Sequence, residues 1–139
     1  MNKKILFFDD EKEIAETLQK NLELFDFDVT LVSNVSALFD KINSEDVYNL
    51  IIMDCMAPEP SSDEEKKLFS SKELSNMENG IRVGEILVEK IRCYENYSNV
   101  PVLFYSARAD VKLYEKTKHL RKPELAKTIV QEINSLLNQ

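Results

Sequence analysis

In Leu50-Ile51-Ile52-Met53-Asp54-Cys55-Met56-Ala57-Pro58 an unbroken apolar run, Leu50–Met53, ends on an aspartate, with a proline four residues beyond it. A run with no polar alternation reads as a strand buried on both faces, as in a parallel sheet. Three runs of the same kind lie around it: Ile5–Phe8, Val29–Val32 and Val102–Tyr105. A weaker fifth, Lys118–Arg121, lies near the end of the chain. Helical stripes separate them. Ile14, Leu18 and Leu22 recur every four residues, behind a start loaded with Glu11, Glu13 and Glu16. Leu38, Phe39 and Ile42 share a face within Ser36–Asn43, as do Val83, Ile86, Leu87 and Ile91 within Ile81–Tyr94. Leu125, Ile129, Ile133 and Leu136 follow Pro123, which reads as a helix start. These stripes are core packing. The alternation of strand and helix predicts one doubly wound α/β domain over residues 1–139 with right-handed crossovers. Ligands of such a sheet bind beyond the carboxyl ends of its strands, where the strand order reverses.

Two stretches break the rhythm. Glu59–Asn76 is a polar insertion, long for a loop between strand and helix. Ser61-Ser62-Asp63-Glu64-Glu65 within it resembles a capping-box start. Leu68, Phe69 and Leu74 read either as anchors of the loop or as a docking face. Added loop length costs only about 0.6 kcal/mol per doubling, so the insertion is expected to contribute little to folding. The other break, Asp110–Thr117, is brief for a crossover helix, which predicts a shortened fourth helix.

Composition narrows the function. The chain has 139 residues, 43% of them hydrophobic, and a formal charge of −7. That charge disfavours phosphate backbones and anionic lipid. It is uneven: Arg108–Gln139 carries seven Lys/Arg against four Asp/Glu, a local +3, leaving −10 for the rest. Cys55 and Cys93 are two free thiols of a reducing compartment rather than a disulfide scaffold. Ile5–Phe8 is too short for a secretory core or a membrane span, so the expectation is a soluble cytoplasmic protein. With only Gly80 and Gly84, neither a Gly-rich dinucleotide loop nor a P-loop can form.

The chemistry gathers at strand ends. Asp9 and Asp10 follow the first strand and Asp54 the third, so three carboxylates converge on the switch point. Carboxylates so placed repel unless a cation sits among them, and oxygen donors of this kind suit Mg²⁺, with Mn²⁺ as a substitute. Ser106 ends the fourth strand and Lys122 follows the fifth. A hydroxyl and an ammonium beside a carboxylate nucleophile suit the spread charge of a transferring phosphoryl group.

Ile5–Glu11, Leu50–Pro58, Val100–Ala107 and Arg121-Lys122-Pro123 together resemble the receiver domains of response regulators in two-component signalling. The resemblance covers nearly the whole chain. It implies a five-stranded parallel sheet in the order 2-1-3-4-5 and a stand-alone signalling switch. It implies that Asp54 is the phosphoacceptor, and that Mg²⁺ is held by Asp10 and Asp54, with Asp9 close by and the Met56 backbone carbonyl as a further ligand. It implies that Ser106, the backbone of Ala107 and Lys122 bind the phosphoryl group. Ser106 is the switching hydroxyl, and Pro123 completes a Lys-Pro junction that is often cis. Met56 and Arg108 occupy the positions that tune dephosphorylation; neither helps a water attack, which predicts slow self-dephosphorylation. His119, the only histidine, is either a structural residue or the switching partner of Ser106. The implied partners are a histidine kinase or phosphotransfer protein upstream and a downstream protein or a second copy, with no direct nucleic-acid contact and no membrane insertion. Lys112, Lys116, Lys118, Arg121 and Lys127 are read as the basic docking face. A phosphorylation-independent interaction or scaffold module is the competing reading.

Overall fold

The computed structural model describes residues 2–139. Five strands, β1 (Lys3–Phe8), β2 (Phe27–Val32), β3 (Leu50–Met53), β4 (Val102–Ser106) and β5 (Thr117–Arg121), form one all-parallel sheet in the order β2-β1-β3-β4-β5. Ile5, Leu6, Phe7 and Phe8 are all buried, because helices cover both faces. Side chains alternate across the sheet. Leu6, Phe8, Ile51, Met53, Val102 and Phe104 pack with α2 (Val35–Ile42) and α5 (Val83–Ile91) on one side. Ile5, Phe7, Leu50, Ile52, Leu103 and Tyr105 pack with α1 (Lys12–Glu23) and α6 (Ala126–Leu137) on the other. No helix of the described residues is long and apolar enough to cross a membrane.

The insertion holds two short helices, α3 (Asp63–Lys66) and α4 (Ser71–Ser75), followed by a 3₁₀ turn at Glu78–Gly80. The Ser62 hydroxyl accepts from the Glu65 N–H, but the Glu65 carboxylate turns to the N–H groups of Ser36 and Ser61. The reciprocal capping box stands instead at Ser70 and Glu73. The expectation of a loop indifferent to folding is corrected. Phe69 is buried, its ring edge-on to Phe39 at 6.2 Å, and Leu68 and Leu74 pack against the same core. They are anchors.

The shortened fourth helix is also corrected: the ten residues between β4 and β5 contain no helix. Geometry explains this. Five residues of strand span about 17 Å, and a ten-residue helix about 15 Å, with nothing left for the turns at its ends. The extended segment covers the sheet with Val111 and Tyr114, and the Arg92 guanidinium lies over the Tyr114 ring at 5.3 Å. Pro123 does not open the last helix either. The Lys122–Pro123 peptide is cis, and α6 begins three residues later.

Candidate functional site

The ladder itself brings the acids together. Phe8 pairs with Met53 across β1 and β3, so the next residues, Asp9 and Asp54, leave the sheet side by side. Asp54 N–H still bonds Phe8 O at 3.1 Å, and Asp9 N–H bonds Val32 O at 3.1 Å. Both side chains are buried: Asp9 is 2% exposed and Asp54 4%. Lys122, placed by β5, reaches in from across the edge. Its Nζ lies 2.6 Å from Asp9 Oδ2, 3.1 Å from Asp54 Oδ2 and 3.5 Å from Glu11 Oε1. Asp54 Oδ1 accepts from the Met56 N–H at 3.0 Å, and Asp9 Oδ1 from the Glu11 N–H at 2.9 Å.

Burial, and then the neighbouring Asp9, raise the Asp54 carboxyl above the usual range, although Lys122 pulls the other way. Partial loss of hydration, and then the charge of Asp9, raise Asp10 as well, although its side chain is exposed. For Lys122 burial opposes the charge, but the hydrogen bond to Asp9 and the charges of Asp54 and Asp9 outweigh it and hold the ammonium above its ordinary range. Cys55, next to Asp54, is pushed up to about 12 by burial and the charge of Glu85, which keeps it a neutral packing thiol.

One carboxylate oxygen from each of Asp9, Glu11 and Asp54 can lie within 4.8 Å of the other two. Asp10, named from the sequence as a ligand, is exposed and outside that group; Glu11, read only as a helix-start charge, is inside it. Three carboxylates facing one ammonium leave two negative charges, which a dication balances, and an all-oxygen donor set fits Mg²⁺ or Mn²⁺.

The remaining predicted residues sit around this cluster. Ser106 is fully buried, and its Oγ accepts from the Arg108 N–H at 3.4 Å. Its carbonyl accepts from the Lys122 N–H at 3.0 Å and lies 3.4 Å from His119 Nε2. Ala107 is exposed, and its carbonyl accepts from Arg121 Nε. The Met56 side chain is exposed. The Arg108 guanidinium is not free: it is engaged by Glu85, Asp110 and the Ile81 carbonyl. Glu85, buried on α5, escaped sequence reasoning. The signal was a lone carboxylate inside an otherwise apolar run, Val83 to Val88.

No family model matches the chain, and no curated protein matches it in sequence. Solved structures do. The receiver domain of a Francisella response regulator is 24% identical, with 99% of this chain and 98% of that one aligned at a TM-score of 0.70. A two-component response regulator from Clostridium difficile is 20% identical over 99% and 98%, at 0.71. A CheY-like receiver domain protein from Methanospirillum hungatei is 16% identical over 99% and 95%, at 0.70. The chain therefore has the response-regulator receiver fold, with strand order 2-1-3-4-5 and helices on both faces.

Proposed function

We propose that this protein is a phosphoacceptor switch of a two-component phosphorelay, phosphorylated on Asp54 in a Mg²⁺-dependent reaction in the cytoplasm. The observation that carries the reading is the buried Asp54 carboxylate beside Asp9, with one ammonium, Lys122, bridging the two. In the transfer an Asp54 oxygen forms a bond to phosphorus while the P–N bond of a phosphohistidine breaks, and the imidazole nitrogen leaves with the bond's electron pair. The donor is a histidine kinase or phosphotransfer protein. The transition state spreads charge over the phosphoryl oxygens, and Lys122 and the Ser106 hydroxyl supply donors to it. Asp9, Glu11 and Asp54, with Asp10 at the rim and the Met56 carbonyl, would hold the metal; when bound it neutralises phosphoryl charge. Ser106, Ala107 and His119 relay the change, and output proceeds through protein contacts.

Acetyl phosphate with Mg²⁺, followed by intact-mass detection, tests this. Wild type gains one phosphoryl group and Asp54→Asn gains none; equal labelling of the two rejects the assignment.

A further inference from the structure

Arg108 and Glu85 form an ion pair nearly as buried as the Asp9–Lys122 pair: their side chains are 10% and 8% exposed. Arg108 Nη2 lies 2.5 Å from Glu85 Oε1 and 2.8 Å from the Asp110 carbonyl, and Nε lies 3.0 Å from Asp110 Oδ1. The partners are unequal in what they lose on separation. Glu85 keeps two other donors, Arg82 Nη1 at 3.2 Å and the Lys112 N–H at 3.1 Å. The carboxylate therefore stays paired if Arg108 departs, and no orphaned buried charge results.

The topology gives Arg108 a second neighbour. It stands two residues beyond Ser106 at the end of β4, the strand next to β3, whose end bears Asp54. Its own N–H already bonds the Ser106 hydroxyl. A guanidinium is the side chain best shaped for two parallel bonds to a phosphoryl oxygen pair. We propose that Glu85 is a positioning residue that holds Arg108 in reserve, and that a phosphoryl group on Asp54 competes with Glu85 for that guanidinium. This rests on the phosphoacceptor reading of Asp54. The strength of the Glu85 contact then sets how tightly the phosphoryl group is held. Its capture of Arg108 also releases the two bonds that Arg108 makes to Asp110, while the Lys112 N–H stays on Glu85 and Asp110 stays on Arg82.

Calorimetric titration of beryllofluoride with Mg²⁺ into wild type, Glu85→Gln, Arg108→Ala and the double variant tests the competition. Glu85→Gln should tighten binding and Arg108→Ala weaken it, each by about tenfold, equivalent to about 1.4 kcal/mol. The Glu85→Gln gain should vanish in the Arg108→Ala background. A purely structural ion pair would weaken binding in both single variants, so shifts of the same sign overturn the proposal. So does a Glu85→Gln gain that persists without Arg108. If Glu85→Gln does not fold, Glu85→Asp, which shortens the reach to Arg108, takes its place, and shifts of the same sign in it and in Arg108→Ala overturn the proposal. Wild type that binds no beryllofluoride rejects the phosphoacceptor reading itself, and the reserve with it.

Discussion

A Cβ placed on Gly84 would lie 2.1 Å from the Asp54 backbone oxygen and 2.7 Å from Cα of Cys55. One on Gly80, where φ is +95°, would lie 2.7 Å from the Ala57 oxygen. The chain has only these two glycines, and both press α5 and the turn before it against the loop that carries Asp54. The Gly84 N–H then bonds Cys55 O at 3.0 Å. Since the obstruction at Gly84 is backbone, no rotamer change relieves it. Gly84→Ala is expected to lose about 1–3 kcal/mol in urea unfolding. An unchanged midpoint would show that α5 can slide away from β3. The same closeness explains why the Cys55 thiol, buried and raised to about 12, acts as packing rather than as a nucleophile.

The helices and loops divide into what pattern reveals and what it hides. Strands were legible because apolar runs such as Leu50–Met53 leave no other way to bury both faces, and their ends located Asp9, Asp54, Ser106 and Lys122. The Glu85–Arg108 pair was not legible: its members lie 23 residues apart, and only the fold makes them neighbours. The absent helix was hidden for a different reason. Ala107–Lys116 has a composition that tolerates helix, and the span to be crossed forbids it. The insertion misled because its charges outnumber its anchors, although a single buried aromatic outweighs many solvated side chains. Phe69→Ala should therefore cost about 3–5 kcal/mol, as for other buried phenylalanines. Chemical denaturation with the Phe39 contact intact as control measures it; a cost under about 1 kcal/mol would restore the insertion to a surface loop.

At the scale of the molecule, the Lys122 ammonium offsets charge at the carboxyl ends of two strands, β1 and β3. Lys122→Met leaves Asp9 and Asp54 buried with no cation. It should lose about 3 kcal/mol in metal-free buffer. Mg²⁺ at about a hundred times its dissociation constant should return about 2.7 kcal/mol. Thermal unfolding with chelator and with Mg²⁺ reads both, and indifference to Mg²⁺ would show that the carboxylates hold no dication. The sign with pH is set by the raised Lys122 value: its stabilisation is full below about 10.5 and fades as pH rises through the elevated value. The variant should lack that alkaline decline.

Lys122 and Asp9 are 113 residues apart in sequence and 2.6 Å apart in space. β1 lies inside the sheet, between β2 and β3, and leaves the ribosome well before β5, which takes the far edge. A nascent chain stalled before β5 can pair β1 with β2 and β3, yet it leaves two acids facing one another without their counter-ion. Contacts of such long range close late in folding, because loop closure must precede them. The cluster thus seals only when β5 arrives: strands β1 to β3 make a sheet, and Lys122 makes it a site.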